Sequence, residues 1–366
     1  MEGIDDKMIV SIVSLFGEFN YGNRLQNFAV QEVLRSMGCQ TQAIFIESSK
    51  FNVKGFLKSV CLNTPLYLLL NLSNKKMVSF KRLQAFRKFN RNFITLKKYT
   101  SVEEIEDADF FVVGSDQVWN PKRYNEIKKE LFFLTFTVPT KRICFSPSFG
   151  LSTIPDQWKT YFKEKLSEFT KLSVREKRGA QIIKELTGRD AEVLIDPTLM
   201  IDEDVWLKIA KKPQRVDTNV NYVFNYFLGD MPEKAGFKGE EIAKNLKGLV
   251  YNIMDKNNPE LYISGPSEFL FLIKHAAVVQ TDSFHACVFS FLFGKPFLLY
   301  AREGEDADMF SRMETLFSTF DLKRKFVDSG LPNDIFECDY SYGYQKLKVE
   351  REKVIAFLKD SMHIKD

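Results

Sequence analysis

The chain has 366 residues and a formal net charge of +4, and its composition is 45% hydrophobic and 27% charged. That composition is typical of a globular protein, and the length exceeds what one hydrophobic core usually supports, so two domains are expected. The five cysteines are odd in number, scattered and without a CxxC pair, which argues against a disulfide framework or a zinc site and suits a reducing cytoplasm.

The first predicted element is an apolar strand over residues 8–15. The residues before it are acidic and no small-residue cleavage site follows it, so the amino terminus does not resemble a secretory signal. The loop FGEFNYGN leads into a helix predicted from Arg24 to Met37, which Gly38 ends in a left-handed conformation. A second strand is predicted over 41–46. This strand–helix–strand order indicates a parallel sheet with right-handed crossovers.

A basic segment follows, from about residue 50 to residue 98. Between Glu47 and Glu103 there is no acidic residue, whereas nine lysines and three arginines give +12, so the rest of the chain carries −8. We expect a helical insert whose charge attracts an anionic partner; a helix whose lysines only keep the insert soluble is equally compatible with this pattern. Its most lipophilic stretch, at 64–72, is too short to cross a bilayer, which takes about 20 residues.

The α/β pattern resumes with strands predicted at 109–114 and 142–150, and a second α/β run begins at 221 after the polar stretch 211–219. We therefore predict an α/β fold of two doubly wound, Rossmann-like domains facing a cleft, with ligands outside the carboxyl ends of the strands. The predicted domains are an N-terminal α/β domain over 1–205 with the basic insert at about 50–98, a C-terminal α/β domain over 206–340 and a C-terminal helix over 341–366.

Two polar clusters follow predicted strands of the N-terminal domain. In the first, Asn20 or Asn23 can cap a helix whose amino end favours anions, although a plain strand-to-helix turn has the same pattern. The second, GSDQVWNP at 114–121, combines a carboxylate, amides and an indole. Together these groups provide hydrogen-bond partners for sugar hydroxyls and a flat face for the sugar ring. Its candidate binding residues are Asp116, Gln117, Trp119 and Asn120.

Arg175 is predicted to lie at a strand end, directly before a helix. There its planar guanidinium suits a carboxylate or a phosphate, which it can bind through two hydrogen bonds. An ion pair with the adjacent Glu176 is equally compatible with the local sequence.

His285 is one of only three histidines in the chain. If the apolar run 276–280 is a strand, then Asp282 or Ser283 caps the next helix and His285 lies in its first turn. The helix dipole disfavours an imidazolium at that position unless an anion binds beside it. We therefore predict that His285 has a functional role.

These clusters together resemble the polysaccharide pyruvyl transferase family. The motifs that carry the resemblance occur in the family's order and span about three quarters of the chain: NYGNRLQ at 20–26, VVGSDQVWNP at 112–121, SVRE at 173–176, IDPTLM at 195–200, and TDSFHA with FGKP at 281–296. The resemblance implies a two-domain fold like that of the GT-B glycosyltransferases. It also implies phosphoenolpyruvate as donor and a sugar diol as acceptor, which are joined into a pyruvate ketal.

By the same resemblance, His285 matches the family's proposed catalytic histidine and Arg175 matches its strand-end arginine. This chain departs from other branches at Ser283, where they carry an arginine, and at Ala286, where a glycine often follows the histidine. Ketal formation needs a general acid, a partner for the sugar hydroxyl, and cations for phosphate and carboxylate. We assign these roles to His285, to Asp116, and to Arg175 with the helix end at Ser283. Lys295 is a weaker candidate for the anion site.

The expected partners are phosphoenolpyruvate and a sugar acceptor, free or lipid-linked. We expect a cytoplasmic protein that contacts the anionic inner face of the membrane through 50–98. No cofactor, no metal and no nucleic-acid partner are expected. Two other functions fit the same residues: a nucleotide-sugar-dependent GT-B glycosyltransferase, and a catalytically silent sugar-binding or scaffold protein.

Overall fold

The structure of the protein, a computed structural model, describes most of the chain. The described residues are 7–17, 19–47, 74–302, 310–322, 325–327, 334–336 and 338–365. Residues 50–73 of the predicted basic segment, including its lipophilic stretch, lie outside these ranges.

Five parallel strands form the first sheet. They are β1 Ile9–Val13, β2 Gln40–Ile46, β3 Leu96–Tyr99, β4 Phe110–Asp116 and β5 Arg142–Pro147. Their spatial order is β3-β2-β1-β4-β5, so the chain adds strands to one side of β1 and then, from β4 onward, to the other side. A short parallel pair, β6 Ser173–Val174 and β7 Glu192–Val193, follows beside β5.

Within the described ranges, five helices accompany this sheet. They are α1 Tyr21–Ser36, α2 Asn74–Phe93, α3 Glu126–Phe133, α4 Asp156–Ser167 and α5 Lys177–Thr187. Asn20 caps α1 by accepting a hydrogen bond from the Asn23 N–H at 3.0 Å, which confirms one of the two predicted caps. Leu25, Ala29 and Val33 recur every four residues on a buried face, so α1 packs against the strands.

Four parallel strands form the second sheet: β8 Tyr222–Tyr226, β9 Leu249–Asn252, β10 Val278–Thr281 and β11 Phe297–Leu299. Their order is β11-β10-β8-β9, so the direction of winding reverses between β8 and β10. The helices that precede and accompany this sheet are α6 Glu203–Ile209, α7 Glu233–Asn245, α8 Pro259–Tyr262, α9 Pro266–His275, α10 Phe284–Leu292 and α11 Phe310–Phe320. Both sheets are doubly wound, which confirms the predicted α/β fold with two Rossmann-like units.

The last helix, α12 Ser341–Ser361, contacts both halves of the molecule. Near its start, the Tyr344 hydroxyl donates to the Phe291 carbonyl of α10 at 2.9 Å. Further along, Arg351 Nε donates to the Leu199 carbonyl at 2.7 Å, on the side of the first sheet. Helix α12 therefore connects the two domains a second time.

The described part of the basic segment differs from the predicted insert. Helix α2 is present and buries Phe86 and Phe89, but Leu96–Tyr99 is the edge strand of the first sheet. The prediction of helix up to residue 98 is therefore wrong at its carboxyl end, because two lysines in this short edge strand conceal its apolar alternation. No helix in the described ranges combines the length and apolar character needed to span a bilayer.

Candidate active site

The candidate site lies where the carboxyl ends of the two sheets meet. In the first sheet, the loop after β1 lies beside the end of β4, because the strand order reverses between these two strands. In the second sheet, the loop after β10 holds the corresponding position beside β8. Ligands bind doubly wound folds at such reversal points. These segments carry Asn23, Asp116 and His285, and the fold brings the three side chains together.

A buried ion network is centred on Arg175, which follows β6. Its Nη1 donates to Asp196 Oδ2 at 2.6 Å, and its Nη2 donates to Asp116 Oδ1 at 3.2 Å. Asp116 also accepts a hydrogen bond from Asn23 Nδ2. Burial raises the pKa of Asp116, but the nearby Arg175 and His285 outweigh burial and hold this pKa well below its ordinary value. Asp116 is therefore ionised at neutral pH.

Glu176, the alternative ion-pair partner predicted for Arg175, binds other groups. Glu176 Oε1 accepts hydrogen bonds from Ser148 Oγ at 3.0 Å and from the Phe149 N–H at 2.8 Å, so Glu176 holds the loop after β5. Burial lowers the pKa of Arg175, but Asp196 and Asp116 raise it above its ordinary value, and the guanidinium is permanently charged. Both of its terminal nitrogens bind carboxylates, so Arg175 orients this network and has only Nε without a partner among the described residues.

His285 lies in the first turn of α10. Ser283 caps this helix by accepting from the Ala286 N–H at 3.5 Å, which decides between the two predicted caps. His285 Nε2 lies 3.8 Å from Asp196 Oδ2 and has no hydrogen-bond partner within the described residues. Burial lowers the pKa of His285, and although Asp196 and Asp116 raise it, the pKa stays below its ordinary value of 6.5. The ring is therefore neutral at pH 7 and has an available nitrogen.

Gly22 of α1 supports the His285 ring from the other domain. A Cβ built on Gly22 would overlap the imidazole, so a larger residue at this position must displace the ring. If His285 has the catalytic role predicted from the sequence, Gly22→Ala should lower turnover by about 10-fold to 100-fold, because small misplacements of a reacting group are costly. Steady-state kinetics measures this effect. The matched control is Gly236→Ala in α7, where the nearest atom to the added Cβ is 3.7 Å away and turnover should not change. Equal turnover in both variants would contradict the contact.

Asp196, which belongs to the IDPTLM motif, and Arg312 both lie in the site, although neither was assigned a role from the sequence. Asp196 caps a 3₁₀ helix by accepting from the Thr198 N–H at 3.0 Å through Oδ1, which leaves Oδ2 for Arg175. An Asp-Pro step before a short helix is a capping signal, and it could have identified this residue. Arg312 of α11 places Nη1 3.7 Å from Asp116 Oδ1. It lies in no recognisable motif, so the sequence offered no signal for it.

A small cavity adjoins the network. It has a volume of ≈ 30 Å³ and is lined by residues that include Arg175, Asp196, Phe284 and Arg312. This volume has room for about two water molecules. Among the described residues, no group of three or more His, Cys, Asp or Glu side chains is arranged to hold a metal ion.

Trp119 does not have the sugar-stacking role predicted for it. The side chain is fully buried, its Nε1 donates to the Phe132 carbonyl at 3.1 Å, and its ring stacks on Phe133 at a centroid distance of 6.0 Å. The indole therefore belongs to the core of the first domain and presents no face to a ligand. An indole that follows a strand can turn inward as readily as outward, and its large apolar area favours burial.

Gln117 and Asn120 also have structural partners. The Gln117 side-chain oxygen accepts hydrogen bonds from Arg123 Nε at 3.1 Å and Nη2 at 2.7 Å. Asn120 caps a short 3₁₀ helix by accepting from the Lys122 N–H at 3.0 Å. These two side-chain oxygens are thus already hydrogen-bonded within the chain. Asp116 and Ser115, whose Oγ donates to Asp196 Oδ2 at 3.2 Å, are the members of this motif that reach the ion network.

Lys295 lies apart from the network. It follows the carboxyl end of α10, whereas His285 lies at the amino end, and the nine residues of this helix span about 13 Å. Burial lowers the pKa of Lys295, as does the charge of Lys274. The structure therefore places Lys295 at the opposite end of α10 from the predicted anion site.

Two facing α/β units with a polar site between their sheets define a GT-B-like architecture. The model of the polysaccharide pyruvyl transferase family matches residues 20–304, a range that contains Asp116, Arg175, Asp196 and His285. The chain belongs to the polysaccharide pyruvyl transferase family. No curated protein sequence matches it.

Three solved structures are similar to the chain along nearly its whole length, each at 10% identity. HepE of Anabaena, determined with UDP and glucose, covers 96% of this chain and 100% of its own, with a TM-score of 0.47. The UDP-GlcNAc 2-epimerase of Neisseria meningitidis bound to UDP-GlcNAc covers 96% and 99%, with a TM-score of 0.43. MurG of Acinetobacter baumannii covers 96% and 99%, with a TM-score of 0.41. Similarity at this level transfers no ligand and no activity to this chain.

Proposed function

We propose that the protein transfers a pyruvyl group from phosphoenolpyruvate to two hydroxyls of a sugar, forming a pyruvate ketal and releasing phosphate. The acceptor belongs to a cell-surface polysaccharide, such as a capsule or an exopolysaccharide, or to its lipid-linked precursor. One observation carries the proposal. His285, with an available Nε2, lies at the junction of the two sheets beside the ionised Asp116–Arg175–Asp196 network. Family membership supports pyruvyl transfer in general, and the donor and the ketal chemistry are the proposed part.

In the proposed mechanism His285 is the general acid. Its imidazolium gives a proton to the methylene carbon of phosphoenolpyruvate, which becomes a methyl group and leaves an oxocarbenium-like C2. One sugar hydroxyl attacks C2, and its proton returns to His285. The second hydroxyl then displaces phosphate from C2 and closes the ketal, and its proton leaves with the phosphate. The sum is one enol phosphate and one diol converted into one ketal and one hydrogen phosphate.

The charges around His285 suit this role. Burial lowers the pKa of His285 in the free protein, so the ring is neutral before the donor binds. A bound phosphate and carboxylate raise this pKa, since an anion within a few ångströms favours the imidazolium. Binding of the donor therefore favours the protonated form of His285, which is the acid that the first step requires. Asp116, whose pKa is far below neutrality, is a weak base and serves as the hydrogen-bond acceptor that orients the attacking hydroxyl.

Phosphate release from phosphoenolpyruvate, measured with a panel of free and lipid-linked sugars, tests the proposal. Acceptor-dependent release is the expected result, with the His285→Gln protein as the blank. Nucleotide release from a nucleotide sugar would instead identify a glycosyltransferase. Sugar binding without either release would identify a silent binding protein.

We also propose that the basic face of α2 contacts an anionic membrane, where lipid-linked acceptors are located. Lys81, Arg87, Lys88 and Arg91 are exposed on α2, which contains no acidic residue. Each cation near an anionic surface contributes about 1 kcal/mol, so the four together contribute about 4 kcal/mol, slightly less than the marginal, reversible binding of a single acyl chain. Arg82 is buried and makes no contribution to this face.

Vesicle flotation measures this contact. Binding is expected with anionic vesicles only, and it should decrease as salt rises, because the Debye length shortens. Changing the four exposed α2 cations to Glu should abolish binding. The matched control changes four exposed lysines elsewhere to Glu, at Lys122, Lys128, Lys163 and Lys244, and should retain it. Equal recovery with neutral vesicles, or none with anionic ones, would leave the α2 cations as a solubility feature.

A further inference from the structure

Two buried arginines outside the ion network have unpartnered N–H groups. Arg24 is 6% exposed and Arg82 is 0% exposed, and Nε and Nη1 of both side chains have no hydrogen-bond partner among the described residues. Burial lowers the pKa of Arg24 to about 10. Buried polar groups are nearly always hydrogen-bonded, because an unpaired buried N–H loses its hydration without replacement. Two cations in this state indicate a site for an anion that comes from outside the chain.

The two guanidinium groups share an aromatic wall. The Cζ atom of Arg24 lies 5.9 Å from the Phe86 ring centroid, and that of Arg82 lies 6.0 Å from it. Arg24 also lies 5.5 Å from the Phe16 ring, and Arg82 lies 4.3 Å from the Tyr262 ring. Aromatic contacts hold a guanidinium in place while leaving its edge N–H groups free for hydrogen bonds. The wall therefore orients both arginines without neutralising them.

Arg24 adjoins the candidate active site through the first turn of α1. The two residues before it are Gly22, which contacts the His285 ring, and Asn23, which donates to Asp116. Successive residues of a helix point in directions about 100° apart, so one turn presents three different faces. Arg24 is thus close to the site but is directed toward a separate region beside it.

Arg82 connects the loops that follow strands of both sheets. It lies 5.7 Å from the ring of Phe19, in the loop after β1, and its Nη2 reaches Met254 Sδ, after β9, at 3.2 Å. A thioether sulfur is only a weak acceptor. The arginine pair therefore lies between the carboxyl ends of the two sheets, where doubly wound domains bind ligands.

We propose that Arg24 and Arg82 form a second anion subsite, which binds the phosphate or diphosphate at the reducing end of the acceptor sugar. This inference rests on the proposed function, because the sugar is an acceptor only if the protein transfers a pyruvyl group to it. The guanidinium fork matches phosphate oxygens through paired hydrogen bonds. The choice of acceptor over donor follows from position. Phosphoenolpyruvate is small and must place its methylene carbon at His285, whereas a sugar held at Asp116 can extend its anomeric substituent past Asn23 to Arg24.

Calorimetric titration without turnover tests the subsite. The probes are hexose 1-phosphates, the matching free hexoses and phosphoenolpyruvate. The unaltered protein is expected to bind at least one hexose 1-phosphate more tightly than the free hexose. Arg24→Met and Arg82→Met should each weaken this binding by about 10-fold to 100-fold, since each removes charged hydrogen bonds. Arg24→Lys retains the charge without the fork and should give an intermediate loss. Arg87→Met, at an exposed position of α2, is the matched control and should bind normally.

Three results would overturn the subsite. They are the absence of binding by every hexose 1-phosphate, unchanged binding in the folded Arg24→Met and Arg82→Met proteins, and an equal loss of phosphoenolpyruvate affinity in both. Thermal melting supplies a second readout: removal of an unpaired buried charge should leave the melting temperature of Arg24→Met unchanged or higher. A large decrease together with normal phosphate binding would instead assign the arginine a structural role.

The source of the phosphate is settled by two further probes. A UDP-hexose and a hexose linked through diphosphate to a short prenyl chain both carry a diphosphate at the reducing end of the sugar. The probe that binds more tightly identifies the natural carrier. Loss of either interaction in Arg24→Met supports the subsite. Failure of the proposed function gives a different result, because phosphoenolpyruvate then releases no phosphate with any acceptor while the arginine-dependent binding persists.

Discussion

Replacing His285 with glutamine is expected to lower turnover by about 10²-fold to 10⁴-fold, the usual contribution of a general acid. Glutamine retains hydrogen-bonding groups and cannot deliver a proton at neutral pH, so the melting temperature should change little, whereas donor affinity should decrease because the attraction between the bound anion and the imidazolium is lost. The measurement is phosphate release under saturating phosphoenolpyruvate. The matched control is His275→Gln, since His275 is exposed at the end of α9, bonds the Phe271 carbonyl at 2.9 Å and should tolerate the change. Near-normal turnover in the His285 variant would remove this residue from the mechanism.

The pH profile gives a second test of His285. In the proposed mechanism His285 must be protonated to act as the acid, so the rate should decrease as pH rises through its pKa. In the free enzyme this pKa lies below 6.5 because burial lowers it, and the falling limb of kcat/KM should therefore lie below that value. The falling limb of kcat should lie at higher pH, because the bound donor raises the pKa in the complex. Both limbs should disappear in the His285→Gln protein.

Asp116→Asn is expected to lower turnover severely while leaving donor affinity almost unchanged. The backbone of Asp116 has φ 65°, a left-handed conformation that asparagine tolerates as well as aspartate, so the substitution preserves the local geometry. It removes one carboxylate from Arg175 and leaves Asp196 as its partner. Breaking a buried ion pair costs about 3 kcal/mol of the free energy of unfolding, which denaturant titration measures.

Arg175→Lys is the companion variant to Asp116→Asn. Lysine retains the charge but cannot bridge two carboxylates and a ligand as the planar fork does, so donor affinity should decrease. Titration with phosphoenolpyruvate compares the two proteins directly. If Asp116→Asn abolishes donor binding and Arg175→Lys does not, the roles assigned to the two residues must be exchanged.

The fold could be predicted from the sequence because its signals are local. Strands β1 and β4 are apolar runs, and α1 follows a recognisable cap, so their order specifies a doubly wound sheet. The edge strand Leu96–Tyr99 was missed for a physical reason. An edge strand has one unpaired side and tolerates charge, and Lys97 and Lys98 carry ion pairs with Glu106 and Glu47 that no local pattern shows.

The site was predictable only in part. Asp116, Arg175 and His285 follow strands at reversal points, and their common position is a consequence of topology. Which residues contact these three side chains depends instead on how the elements pack. Whether an indole at Trp119 faces solvent or the core, and whether Arg312 reaches Asp116 from another helix, depends on contacts between residues far apart in the sequence. The same limit applies to Arg82, which counts as surface charge in the sequence and is fully buried in the structure.

The contact between Gly22 and His285 crosses from one domain to the other. In the proposed mechanism the second domain therefore supplies the proton donor, while the first domain supplies the carboxylates and Arg175. Any separation of the domains would also separate these groups, and the enol phosphate would meet no competent acid until they close again. Closure would also exclude water, which matters because an oxocarbenium-like centre reacts with any nearby oxygen nucleophile. A catalytic set divided between two domains would therefore protect the proposed donor from hydrolysis in the absence of a sugar.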